Sequence, residues 1–257
     1  MDADALRLAT ACADEARLIA RRAFRSALEV ERKADATPVT AVDREIERRL
    51  RARIAGARPQ DGILGEEHGA DGTSRRRVWV VDPIDGTKAF ITGSPLFGTL
   101  IALVDEGVPA LGIVEMPALR ERFVGVDGVA TMNGCPCRVR PCPRLADASL
   151  YTIAPEALEH VAGLDRALGD AVALRRYGGD CYAYCQLALG WVDLVVESGM
   201  APYDFLALVP VVTGAGGIIT DWHGAPLTLE SDGTVIAAGS PEVHAEALAL
   251  IERHTGA

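Results

Sequence analysis

The sequence predicts a mixed α/β (α+β) chain of layered sheets and helices, on three counts. Two amphipathic helical patterns come first, short apolar strands follow, and beyond a Pro-rich segment strand and helix alternate. The opening stretch, MDADALRLATACADEARLIARRAF, repeats apolar residues at 6, 9, 13, 16, 20 and 23, which predicts a helix over 3–26 and not a signal peptide. A second helix is expected over 41–55, with Val42, Ile46, Leu50 and Ile54 on one face. Strands are expected near 62–65, 78–82, 97–104, 110–115 and 121–126, separated by Gly- and Pro-bearing turns such as Gly107-Val108-Pro109. The segment CPCRVRPCPR (135–144) divides the chain into an N-terminal lobe, 1–140, and a C-terminal lobe, 141–257. In the second lobe strands are expected near 149–153, 172–176, 192–197, 217–220 and 235–238, and helices near 155–168, 180–189, 204–215 and 241–253.

With 257 residues, 49% of them hydrophobic, the chain is long enough to bury one large core or two fused lobes. Its formal net charge of −10 argues against nucleic acid as the main partner. That charge suits a site that gathers divalent cations, and a solvated acidic surface explains it equally well. No stretch approaches the roughly 18 apolar residues of a membrane span, so a cytoplasmic protein without a membrane partner is expected. The six cysteines (Cys12, Cys135, Cys137, Cys142, Cys181 and Cys185) lack paired C-x-x-C zinc spacing and are expected to be reduced structural thiols.

Chemistry concentrates in WVVDPIDGTKAF (79–90). An apolar run carries Asp82 and Asp85 into Gly86, Thr87 and an expected helix start. Two carboxylates, the Ile84 carbonyl and a hydroxyl thus crowd one strand end, a set that suits Mg²⁺. The N–H groups opening the next helix suit an anion beside it. Asp-Pro and Asp-Gly are also ordinary turn formers, but an unpaired carboxylate at the end of a buried strand costs several kcal/mol unless something neutralises it. Glu66, in Gly65-Glu66-Glu67, offers a third carboxylate or is plain surface. Asp43 fits a capping box with Thr40, and Asp204 fits an N-cap. His68, His160, His223, His244 and His254 form no cluster, and His68 reads as surface.

Glu66, Asp82-x-x-Asp85-Gly86-Thr87 and Asp204 resemble, in order and context, the inositol monophosphatase family of Mg²⁺-dependent, lithium-sensitive phosphatases. The likeness runs from Thr37-Pro38-Val39-Thr40…Asp43 to beyond Ala215-Gly216-Gly217. It implies a layered αβαβα sandwich of the inositol monophosphatase/fructose bisphosphatase type and, as is usual in the family, a homodimer. It implies two or three Mg²⁺ held by Glu66, Asp82, the Ile84 carbonyl, Asp85 and Asp204. Thr87 and Asp43, with Glu66, would orient and deprotonate the attacking water, and Gly86 and Thr87 would offer N–H groups to the phosphate. The substrate would be a small phosphate ester.

Within the family, DGTKAFITGSPLFGTLIAL (85–103) and GGDCYAYCQLALGWVDLVVESGMAPYDFLAL (178–208) resemble the histidinol-phosphatase branch of histidine biosynthesis. Lys88-Ala89-Phe90 stands where inositol phosphatases typically show Thr-Asn-Phe, and Tyr203-Asp204 where they show Trp-Asp. A substrate with an ammonium and an imidazole calls for carboxylates away from the metals, and Asp180 and Glu197 stand in regions that face the substrate in the family. N-capping is an equal reading of Asp180. Tyr182, Tyr184 and Tyr203 fit either the flanks of an imidazole or core and dimer packing. The alternatives are an inositol-1-monophosphatase or broad-range sugar phosphatase on the same site and, from another class, a regulatory binding protein of the same fold.

Overall fold

The computed structural model describes residues 2–32 and 38–256; Thr37, the first residue of the T-P-V-T element, lies outside them. Helix α1 (Ala3–Ala23) is capped by the Asp2 carboxylate, which accepts the Asp4 N–H at 2.9 Å. Its buried face is made of small residues (Ala5, Ala9, Cys12, Ala13, Ala16 and Ala20), so it lies close against its neighbours. Strands β1 (Val30–Arg32) and β2 (Pro38–Thr40) pair antiparallel and lead into α2 (Ala41–Ala57). Next come β3 (Gly62–Gly65), β4 (Gly69–Asp71), β5 (Arg77–Asp85), the short helix α3 (Thr87–Thr92), and then β6 (Gly98–Asp105), β7 (Val108–Met116), β8 (Glu121–Val126), β9 (Val129–Met132) and β10 (Cys135–Pro136). These strands form one sheet in the order β10-β9-β8-β7-β6-β5-β3-β4, antiparallel throughout except for the β3–β5 pair.

The remaining elements are β11 (Ser149–Thr152), α4 (Leu164–Ala171), β12 (Leu174–Tyr177), α5 (Cys181–Ala188), β13 (Leu194–Glu197), α6 (Pro202–Phe205), α7 (Leu208–Gly214), β14 (Ile218–Thr220), β15 (Val235–Ala238) and α8 (Pro241–Thr255). Their strands form a second sheet, β12-β11-β13-β15-β14, in which β11 runs parallel to both neighbours. The helix expected over 155–168 is a 3-10 turn, Pro155–Leu158, and then α4, which starts after Gly163 at φ +76°. The one expected over 204–215 is split into α6 and α7. Pro210 has no N–H to give the Leu206 carbonyl, so the hydrogen-bond ladder is interrupted there.

Apolar periodicity sorts these elements into five layers. Along β5, Val78 and Val80 face one side of the large sheet while Trp79 and Val81 face the other. Trp79 and Val81 join Ile46, Leu50 and the small residues of α1 in an outer core. Val78 and Val80 join Tyr184, Cys185, Phe205 and Val211 of α5–α7 in a middle core, which also takes Val195 and Val235 from the small sheet. Leu194, Val196 and Ile236, on that sheet's far face, pack with Leu168 of α4 and Val243 and Ile251 of α8. The result is the αβαβα sandwich that the resemblance implies.

Two glycines set the spacing between the large sheet and the middle helices. Gly112 of β7 and Gly125 of β8 are cross-strand partners. A Cβ on Gly112 would lie 2.0 Å from the Ala207 carbonyl oxygen, and one on Gly125 2.2 Å from the Pro210 carbonyl carbon. Only hydrogen fits, so the α6–α7 backbone rests directly on the sheet.

Candidate active site

Asp82 and Asp85 are three residues apart, and in a regular strand that spacing places them on opposite faces. Here β5 is irregular: Asp82 faces Leu100 and Asp85 faces Gly98, so three steps on β5 match two on β6. Pro83 lies inside the irregularity, and its carbonyl accepts the Thr99 hydroxyl at 2.8 Å. The extra residue brings both carboxylates to one side. Asp204 completes the group from α6. It is not the N-cap of that helix but its third residue, reaching back to accept the Ala201 N–H at 2.7 Å. One oxygen from each of Asp82, Asp85 and Asp204 lies within 4.8 Å of the others.

Burial pushes the Asp82 carboxyl well above its usual range, and the nearby charges of Glu66, Asp85 and Asp204 push it further. Its Oδ1 is buried without a hydrogen-bond partner. Burial, with Asp180 and Asp204 close by, raises Asp85 to about 8 against the opposing pull of the Cys181 N–H, which donates to Oδ2 at 2.7 Å. An all-oxygen donor set, mutual repulsion and an unpartnered buried carboxylate oxygen together fit a hard divalent cation.

Asp43 lies below this group, fully buried. Its Oδ2 accepts the Thr40 N–H at 2.9 Å and the Thr40 hydroxyl, forming the expected capping box. Its Oδ1 faces the Thr87 hydroxyl at 3.4 Å, while that hydroxyl also lies 3.1 Å from the Ile84 carbonyl oxygen. Cap and site, alternatives in the sequence, are therefore served by separate oxygens of one carboxylate. Burial raises the Asp43 carboxyl despite these bonds. Gly86 (φ +77°) turns the chain into α3, where Phe90 anchors the helix edge-on to Phe97 with ring centroids 4.8 Å apart.

A cavity of about 310 Å³ opens above the carboxylates, with Glu66, Asp85, Gly86, Thr87, Asp180, Glu197 and Asp204 on its walls. Asp82 and Ile84 lie beneath it, both buried. Asp180 occupies the N-cap position of α5 but makes no capping bond; the Asp85 carboxylate takes the Cys181 N–H instead. Its backbone, at φ +46° and ψ −143°, is in a region that side-chain-bearing residues rarely adopt. Burial raises Asp180 to about 6, with Lys88 opposing. Glu197 is raised to about 8 by burial although it accepts the Tyr184 hydroxyl at 3.0 Å.

The tyrosines do not flank the cavity. Tyr184 is sealed in the middle core, Tyr182 packs against it, and Tyr203 lines a separate depression with Leu64, Pro202 and Leu229. Lys88, Ile153, Ser198, Gly199 and Met200 line the cavity but escaped the sequence reading as site residues. Lys88 is a cavity wall, and its adjacency to Thr87 was the available signal. Glu47 is a buried carboxylate one helical turn after Asp43, visible only as D-x-x-x-E. All six cysteines are free thiols, only Cys135 of them exposed.

The model of the inositol monophosphatase family matches residues 2–255. The chain is 45% identical to the chloroplastic bifunctional phosphatase IMPL2 of Arabidopsis thaliana over 255 residues, covering 95% of this chain and 74% of that protein. It is 40% identical to a histidinol-phosphatase of Mycobacterium tuberculosis, covering 87% of this chain and 90% of the relative. An inositol monophosphatase structure from Zymomonas mobilis superposes with a TM-score of 0.88 at 47% identity, covering 97% and 98% of the two chains. With a family match over nearly its whole length and three carboxylate oxygens gathered within 4.8 Å of one another, the chain belongs to the inositol monophosphatase family of phosphatases.

Proposed function

We propose that this chain is a Mg²⁺-dependent histidinol-phosphate phosphatase that releases L-histidinol and phosphate in histidine biosynthesis. The observation that carries the substrate choice is the pair Asp180 and Glu197, two largely buried carboxylates on the cavity wall. A cationic substrate supplies the counter-charge that Glu197 lacks and that Asp180 receives only from the exposed Lys88, and a neutral polyol supplies only hydrogen bonds. The strained backbone at Asp180 supports a placed rather than incidental carboxylate. Likeness to the mycobacterial histidinol-phosphatase supports the same choice.

Asp82, Asp85, Asp204, Glu66 and the Ile84 carbonyl would hold two or three Mg²⁺, which when bound acidify a water and neutralise charge on the phosphoryl and leaving oxygens. The protein's own residues do the rest. Thr87 Oγ accepts a proton from the attacking water and passes its own to Asp43 Oδ1. The bonds from Thr40 to Oδ2 keep that carboxylate from rotating. Backbone N–H groups of Gly86 and Thr87 orient the phosphate, while Asp180 and Glu197 hold the ammonium and imidazole. The N-terminal lobe, 1–140, supplies most of the cage, and the C-terminal lobe, 141–257, supplies Asp204 and the substrate carboxylates. A cytoplasmic homodimer goes with this reading.

Likeness to the Zymomonas mobilis inositol monophosphatase favours a second reading, an inositol-1-monophosphatase. Phosphate release from histidinol phosphate, inositol 1-phosphate and fructose 1,6-bisphosphate, each with and without Mg²⁺, separates the two. The expected result is Mg²⁺-dependent turnover that favours histidinol phosphate; a clear preference for inositol 1-phosphate overturns the assignment.

A further inference from the structure

Glu47 stands one turn beyond Asp43 on α2 and is fully buried, yet it holds nothing on the catalytic side of the cavity. Its carboxylate leaves the helix for the loop after β3. There Oε2 accepts the Glu67 N–H at 2.6 Å and Oε1 accepts the His68 N–H at 3.1 Å. Arg51, a further turn along α2, donates to Oε1 at 2.7 Å and also bonds the Gly69 carbonyl. The two residues that follow Glu66 are thus tied to α2, while the N–H of Glu66 itself is tied to the Val81 carbonyl of β5 at 3.3 Å. The carboxylate lies directly against the preceding residue: a Cβ on Gly65 would lie 2.1 Å from Glu47 Oε1, so any side chain there would displace it.

We propose that Glu47 is a positioning residue for the metal site. Through the backbone of residues 67 and 68 it fixes where the Glu66 carboxylate stands beside Asp82. A loop with freely hydrating N–H groups would let Glu66 drift; a buried anion facing those groups from a rigid helix does not. Because Asp43 projects from the same face of α2, this one helix sets both the proton acceptor for Thr87 and the lateral wall of the carboxylate cage. The inference rests on the metal reading of Glu66 and Asp82.

The test is calorimetric titration of Mg²⁺ into the full chain, compared with Glu47→Gln, Glu47→Asp and Ile54→Val. Glu47→Gln keeps the shape but turns an amide toward the N–H donors, and Glu47→Asp keeps the charge but shortens the reach. Both are expected to weaken Mg²⁺ binding by about tenfold or more. KM for the phosphate ester at saturating Mg²⁺ should change far less. Ile54→Val trims the buried face of the same helix and should lower Tm without moving the Mg²⁺ titration. If Glu47→Gln does not fold, Glu47→Asp, which retains the charge opposite Arg51, carries the comparison. Unchanged Mg²⁺ affinity in a folded Glu47 variant overturns the positioning role. Absence of Mg²⁺ binding by the unaltered protein overturns the metal reading itself.

Discussion

Single residues in this site hold two positions at once, and that decides what their replacement does. Asp43 caps α2 with one oxygen and faces Thr87 with the other, so Asp43→Asn should lose both stability and turnover. Thr87→Ala removes the proton path together with the hydroxyl's bond to the Ile84 carbonyl. We expect kcat to fall about 10²–10⁴-fold with little change in KM or Tm, measured by steady-state kinetics and thermal melts. Asp85→Asn should abolish hydrolysis with little loss of fold; turnover at the original rate would sink the metal mechanism. Glu197 gives a pH prediction. Burial raises it to about 8 from an ordinary value of 4.5, so its contribution to stability is fully present below pH 4.5 and is lost as pH rises through 8. Glu197→Gln should therefore flatten that part of the metal-free protein's Tm–pH curve, and parallel curves for the two proteins would refute the buried-charge account. The hexapeptide from Asp82 to Thr87 was legible because its residue types are chemically crowded in the chain itself. Glu47 was not: Arg51, four residues on, reads as an ordinary helix pair, and the N–H groups that give Glu47 its role lie 20 and 21 residues away with no sequence signature.

At the scale of elements, hydrophobic period carried most of the information. The β5 run, apolar on both faces, announced a strand covered on both sides, and α1 and α2 were readable from their stripes. Breaks were harder. A single apolar run over 204–215 looks like one helix until Pro210 removes an N–H, and β4 and β10, exposed along their whole length, carry no apolar signal. The Gly112–Gly125 pair was also silent in the sequence, because close backbone approach is a property of two elements together. Gly112→Ala should cost about 1–3 kcal/mol by denaturant unfolding, since the Ala207 carbonyl must retreat from the new methyl. That retreat also moves α6, so Mg²⁺-dependent activity should drop further than in an equally destabilised variant of α8, such as Leu250→Ala.

For the molecule as a whole, the carboxylate cage joins the large sheet to the layer of middle helices packed on it. Asp82 and Asp85 end a strand of the large sheet, whereas Asp204 belongs to the middle helices, over a hundred positions later in the chain. Mg²⁺ at 100 times its Kd should add about 2.7 kcal/mol to unfolding free energy, a rise of roughly 5–10 °C in Tm for a chain of this size. A melt with and without chelator measures it, and an unchanged Tm would mean that the carboxylates do not bind the ion. The order of strands in the large sheet has a consequence in time as well as space. From β5 to β10 the sheet is a meander of neighbours in sequence, so it is able to form while the rest of the chain is still being made. One face of that early sheet then has α1 and α2 to cover it, but the other waits for α5–α7. A nascent chain paused near residue 140 carries an open apolar face and two carboxylates without their third companion. Chaperone demand should peak at that length, and on the proposed metal reading catalysis should begin only once Asp204 has emerged.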